Sequence, residues 1–122
     1  MNLKRGDVIY VKASNYQPTG SEMWADRPAI IISNDINNKK SPVLQIVYTS
    51  TKINKENMKT HIRLHSLLKP SIAICEQIHS VDKSRITKTL TSINEDEMKQ
   101  IEKAIKDNLN LKSNWNYGIM NI

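Results

Sequence analysis

The chain reads as an α+β domain, strands first and one helix last, whose six or seven short strands can curl into a small barrel with the C-terminal α-helix packed on it. Three observations carry this. Short runs of branched and aromatic residues recur from Val8 to Leu90, the apolar period turns helical at Met98, and 122 residues make one ordinary domain, too few for two separate cores. Hydrophobic residues at 39% and charged residues at 25% suffice for a core and do not fit a disordered or fibrous chain.

Taken in order, Val8-Ile9-Tyr10-Val11 follows a Gly-Asp turn and is the first strand. Ala13 to Asp26 has no sustained period, holds Pro18 and Gly20, and is a long loop of the kind that carries function. Ala29 to Ser33 is a continuous apolar run bounded by Pro28 and Asn34, too short for a helix, and fits a central strand buried on both faces. Asn34 to Ser41 is a polar connection, Val43 to Ser50 a further strand, and Lys52 to Lys59 a lysine-bearing loop. Shorter strands follow at Thr60 to Leu64, Ser71 to Glu76, Ile78 to Val81 and Ile86 to Leu90. From Met98, the residues Ile101, Ala104, Ile105 and Leu109 share one helical face; Asn94 caps it, and Glu95, Asp96 and Glu97 suit its positive end.

Several function classes drop out. No apolar stretch approaches the roughly 20 residues needed to cross a bilayer, and the first residues run straight into charge, so no membrane is expected and the protein reads as cytoplasmic. Cys75 is the single cysteine; it allows no internal disulfide and reads as a small buried apolar residue on a strand. His61, His65 and His79 show no metal-ligand spacing, and three glycines cannot build a phosphate loop or dinucleotide motif, so no metal or cofactor is expected. The net charge of +6 points to a polyanionic partner. Residues 1–93 carry 14 basic and 7 acidic side chains and residues 94–122 carry 4 and 5, so the basic surface belongs to the strands and loops, not to the helix.

Local patterns then coincide. Arg5-Gly6-Asp7-Val8 opens the first strand, Gly20-Ser21-Glu22 leads into Asp26-Arg27-Pro28-Ala29-Ile30-Ile31-Ile32-Ser33-Asn34, a strand ends at Thr49-Ser50, and Glu76-Gln77-Ile78 precedes Val81-Asp82-Lys83-Ser84-Arg85-Ile86. In that order and spacing the chain resembles the MazF/PemK toxins of bacterial type II toxin-antitoxin systems, over about residues 3 to 110. The resemblance implies a domain at 1–111 followed by a tail at 112–122. It also implies a homodimer of SH3-like barrels that cleaves single-stranded RNA, usually mRNA, without a metal, and that is silenced by a cognate antitoxin with an acidic, flexible C-terminal segment.

Metal-free cleavage of this kind uses the substrate's own 2′-hydroxyl as nucleophile and leaves a 2′,3′-cyclic phosphate and a 5′-hydroxyl. The protein supplies a proton acceptor, a proton donor and positive charge at the phosphorane. Arg27 suits the last role, since a guanidinium fork matches phosphate oxygens and stays charged; the resemblance assigns it as catalytic. The resemblance also implies a catalytic hydroxyl at the end of the third strand. The local pattern favours Thr49 and an ungapped count favours Ser50, and these neighbours point to opposite faces. Glu76 stands where some members carry a proposed general base, in an apolar setting that would raise its pKa; Ile74 replaces the arginine those members carry two residues earlier, and Glu76 can equally be structural or contact RNA. Gln77 can read a base edge with both a donor and an acceptor. Trp24, where the resemblance would have glycines nearby, either stacks on an unpaired base or packs on the protein. Lys52, Lys55 and Lys59 are phosphate contacts or solvated charge. Glu22 in the first loop and His79, two residues beyond Gln77, complete the expected RNA-contacting set. Two other readings stay open: a gyrase poison of the CcdB type, echoed faintly by Tyr117-Gly118-Ile119, and a non-catalytic RNA-binding barrel.

Overall fold

The computed structural model describes residues 2–13, 26–52 and 58–111. The first strand, β1 (Asp7–Val11), is entered through a turn in which Gly6 adopts φ +90, a left-handed conformation that glycine takes without a Cβ clash. The Gly6 N–H donates to Ile31 O at 2.8 Å and so docks the turn on the next strand, β2 (Arg27–Ile31). Then come a short helix α1 (Asp35–Lys40), β3 (Val43–Ser50), β4 (His61–Leu64), the 12-residue β5 (Ser71–Asp82), β6 (Ile86–Ser92) and α2 (Glu95–Asn108).

Two assignments differ from the sequence expectation. The polar stretch after Asn34 forms α1, because its ends are specified rather than its face. The Asn34 side chain accepts from the Asn37 N–H, Asp35 lies in the first turn, and Lys39 and Lys40 lie in the last. Its one large apolar residue, Ile36, points outward, so no helical period was there to be read. Ser71–Glu76 and Ile78–Val81 are not two strands but the halves of β5. Between the pairs Val47↔Ile78 and Thr49↔Ala73, the four residues Ile74–Gln77 face the single residue Tyr48. This wide irregularity bends β5 at Glu76 and Gln77.

The strands form one antiparallel sheet in the order β4-β5-β3-β2-β1-β6. β2 and β3 are central, as the apolar run of β2 requires: Ala29 and Ile31 face one core, and Ile30 faces the other. The link from β5 to β6 is the three-residue 3₁₀ turn Lys83–Arg85. In a flat sheet β5 and β6 would lie about 19 Å apart, four strand spacings. Four Cα–Cα steps reach only about 14 Å, so the sheet must curl until the two strand ends meet. Lys83 N bonds Pro42 O and Lys12 N bonds Arg85 O, which fastens the turn to both sides. The closed barrel expected from the sequence is nevertheless not formed by the ladders: among the described residues β4 pairs with β5 and β6 with β1, and the two edges do not pair with each other.

Curling divides the apolar residues into two cores. Ile9, Val11, Ala29, Ile31, Leu44, Ile46, Tyr48 and Val81 fill one face. On the other, Val8, Ile30, Val47, Leu64, Ala73 and Cys75 receive Met98, Ile101 and Ala104 of α2, whose apolar stripe was legible in its spacing. A capping box closes the start of α2, the Asn94 side chain accepting from Glu97 N and the Glu97 carboxylate from Asn94 N.

A candidate active-site groove

Where α2 leaves the sheet uncovered, a groove of about 930 Å³ opens between the start of β2, the end of β3, the segment after β4, and β6. Its apolar lining comes from Val8, Pro28, Leu67, Leu68 and Leu90, and its cations are Arg27, Lys52 and Lys69. Ladder geometry accounts for the placement. Val8 is paired with Thr91, which sets β1 and β6 side by side in the lining. Ala29 is paired with Tyr48, and continuing that register by two residues brings Arg27 across from Ser50.

Arg27 is half-buried as the first residue of β2, after the neighbouring Asp26 carboxylate accepts the Ala13 N–H at 2.6 Å and draws the ends of the first loop together. The two candidate hydroxyls, both in the lining, have different surroundings. Thr49 is 4% exposed, and its Oγ1 donates to Pro28 O at 3.2 Å, which commits its proton to holding β3 against β2. The half-buried Ser50 accepts the Lys52 N–H at 3.1 Å. That bond uses a lone pair of the hydroxyl and leaves its O–H free to donate elsewhere.

Glu76 is not in the groove lining. It sits in the bend of β5, with Oε2 2.9 Å from Nε2 of the buried His61. The expected upward pKa shift is corrected here. Burial does push the carboxyl upward, but hydrogen bonding, from His61 first, outweighs it, and the net shift is downward. Glu76 is therefore held as a carboxylate beside the His61 ring. His79 packs edge-on against Tyr48, ring centroids 4.9 Å apart, outside the groove lining. The half-buried Gln77 lies with Glu76 in the bend, likewise outside the lining. Lys59 is exposed in the turn before β4. Glu22, Trp24 and Lys55 lie outside the described residues, as does Tyr117-Gly118-Ile119. Cys75 is fully buried, and burial, with the Glu76 charge adding, pushes its thiol up to about 12, which suits an inert core residue. Among the described residues no three His, Cys, Asp or Glu side chains cluster as a metal site, and no helix is long and apolar enough to cross a membrane.

Reading the sequence missed the segment Ser66–Lys69, which forms a wall of the groove. Its Ser-Leu-Leu-Lys-Pro sequence carries no chemical motif; a fully exposed Leu68 is a signal visible only in the fold. The groove as a whole suits an extended polyanion with apolar rings. Cations on the rim meet phosphates, and aliphatic side chains meet base or sugar faces.

Comparison with known proteins agrees. A family model described as PemK-like, MazF-like toxin of type II toxin-antitoxin system matches residues 4–109. The Endoribonuclease MazF of Staphylococcus saprophyticus is 36% identical over 113 residues, covering 89% of this chain and 92% of that protein. MazF (Form-I) from Deinococcus radiodurans has a similar fold at a TM-score of 0.78 and 16% identity, over 91% of this chain and 99% of that one. An endoribonuclease in complex with its cognate antitoxin from a mycobacterial species superposes at 0.72 with 19% identity, over 93% and 99%. The family match runs from the turn before β1 to the end of α2 and so takes in every element that builds the groove: the chain belongs to the PemK-like, MazF-like toxins of type II toxin-antitoxin systems.

Proposed function

We propose that the protein is the toxin of a type II toxin-antitoxin pair and acts as a metal-independent endoribonuclease on single-stranded RNA, mRNA above all. The observation that carries this beyond family membership is that Arg27 and Ser50 line one groove together with Lys52, Lys69 and aliphatic side chains. In the reaction the substrate 2′-oxygen attacks the adjacent phosphorus and the P–O5′ bond breaks. Net transfer of the 2′-hydroxyl proton to the departing 5′-oxygen leaves a 2′,3′-cyclic phosphate and a 5′-hydroxyl. Arg27 neutralises the charge that grows on the phosphoryl oxygens, and the Ser50 hydroxyl donates to the same phosphate. Thr49, engaged with Pro28 O, is the structural member of the pair. Glu76, held ionised beside His61, fits contact with RNA donors in the bend of β5 better than proton abstraction; Gln77 reads a base edge there, with His79 beyond them on the same strand.

The reading extends to the assembly. The curled sheet serves as an SH3-like barrel, two copies form the working homodimer, and the antitoxin's acidic segment competes with RNA for the basic rim. Residues 1–111 are the nuclease domain, 112–122 a tail appended to it, and the site of action is the cytoplasm. Glu22, Trp24 and Lys55 complete the proposed RNA-contacting set. The test is incubation of purified protein with several sequence-diverse RNAs in EDTA, followed by mapping of the cut ends. Cyclic-phosphate ends at a short recurrent motif are expected. Salt-sensitive binding with no products on any RNA would overturn the nuclease reading in favour of a binding module.

A further inference from the structure

The unassigned feature with the densest polar contacts is a knot between the start of α2 and the groove wall. Glu97 is 3% exposed, and its carboxylate accepts four hydrogen bonds. Oε2 takes the His65 N–H at 2.6 Å and the Ser66 N–H at 3.2 Å; Oε1 takes the Asn94 N–H at 3.0 Å and the Ser66 hydroxyl. The Asn94 bond closes the helix, as any capping box does. The other three belong to the far side of the domain in sequence and have no role in the helix. They fasten the first residues of the segment that lines the groove through Ser66, Leu67, Leu68 and Lys69. The segment's other end is tied as well, by the Ser71 hydroxyl donating to Lys69 O at 2.9 Å. Between the two ties, Leu68 is fully exposed and Lys69 stands beside it.

We propose that Ser66–Lys69 is a preorganised RNA-positioning wall, with Leu68 against a nucleobase and Lys69 at a phosphate, and that Glu97 is the positioning residue that holds it. The inference rests on the endoribonuclease reading above and adds to it a determinant of substrate binding outside the Arg27–Ser50 end. The physical argument is economy of ordering. A segment that must present an aliphatic tip and a cation to a flexible strand gains affinity when its own entropy has been lost on folding, and α2, packed through Met98, Ile101 and Ala104, is the rigid body to which it is tied. A helix cap alone needs none of the bonds to His65 and Ser66.

Three variants separate these roles. Glu97→Gln keeps the size of the side chain but has one acceptor oxygen for four donors. Ser66→Ala removes one wall bond and leaves the cap intact. Asn94→Ala removes the cap side chain and leaves the wall intact. Steady-state cleavage of a fluorogenic single-stranded RNA and amide hydrogen exchange at residues 65–69 are measured on each. For Glu97→Gln, KM rises about tenfold with kcat within about twofold, and exchange at 65–69 accelerates selectively; Ser66→Ala shifts both in the same direction by about threefold. Asn94→Ala lowers the melting temperature with KM unchanged. If Glu97→Gln and Ser66→Ala alter KM no more than Asn94→Ala does, the positioning role is overturned, and unchanged exchange at 65–69 overturns the tie itself. Should Glu97→Gln fail to fold, Ser66→Ala decides the question alone. Failure of the wild-type protein to cut RNA counts against the nuclease reading, and the exchange measurement still decides whether Glu97 holds the wall.

Discussion

The two ends of β3 are built from similar residue types and are used differently. At its start, Ser33, Asn37, Asn38 and Gln45 bond one another and the backbone: Asn38 Nδ2 donates to Ser33 O at 2.8 Å, Gln45 N to Ser33 Oγ at 3.1 Å, and Asn37 Nδ2 to Val43 O at 3.3 Å. Asn38 is buried, and its amide joins α1 to the strand. At the other end Thr49, Ser50, Thr51 and Lys52 line a cavity, with Arg27 across from them. The comparison teaches that polar composition does not distinguish scaffold from site. A closed network fixes geometry, whereas hydroxyls and cations lining a groove are placed where a bound molecule can reach them.

The sharpest way to break this comparison is Arg27→Ala. Cleavage is expected to fall about 10³-fold with the melting temperature nearly unchanged if, as proposed, the guanidinium acts on the developing phosphorane and not on the core. An equally large loss of stability would place Arg27 with the scaffold instead. Ser50→Ala should lower kcat about 10²-fold with RNA affinity preserved, as read by single-turnover cleavage and binding in parallel. At the closed end Asn38→Ala should cost about 1–3 kcal/mol in chemical denaturation, since it removes the buried amide that bonds the half-buried Ser33 O and Ser33 hydroxyl, while kcat stays at the wild-type value. Thr49→Val sharpens the contrast at the groove itself. It removes a single buried bond, costs about 1 kcal/mol, and leaves kcat within about threefold; a collapse of kcat would exchange the roles of Thr49 and Ser50.

The smallest effect expected is on pH. Glu97 and Glu76 both sit below the ordinary carboxylate value: burial works to raise each, and bonds from Ser66, Asn94 and His65 to the first and from His61 to the second prevail. A carboxyl depressed in the fold adds stability that is fully present above its unfolded pKa and is lost as pH falls through the folded one. Thermal melts should therefore be flat from neutral pH down to about 5 and decline below about 4.5, with a shallower decline in Glu97→Gln.

Much of the fold was legible because it rests on local chemistry. The apolar run Ala29–Ile32 could only be central, and the Asn94 cap with the stripe Met98, Ile101, Ala104 could only be a surface helix packed on a sheet. α1 escaped notice because its helical character lies in caps and not in a period. β5 read as two strands because Glu76 and Gln77 interrupt the alternation at the place where the strand bends. In the groove, Arg27 stood out by chemistry and motif, whereas Leu68 and Glu97 did not: an exposed leucine and a first-turn glutamate are ordinary until a fold brings them to one wall.

What the sequence determined by itself is what short-range physics and an ordered set of motifs can carry: most of the strands and the C-terminal helix, the buried cysteine, the basic strand-and-loop half and the family. Only the tertiary structure shows that the two adjacent hydroxyls, both in the groove lining, are held differently, Thr49 donating to Pro28 O and Ser50 accepting from Lys52 N. Pro28 lies far from Thr49 in the chain and is brought to it by the pairing of β3 with β2, while the bent β5 pairs with β3 on its other side. The same holds for Glu97, whose donors His65 and Ser66 lie about thirty positions earlier and come within bonding distance only after α2 has packed on the sheet.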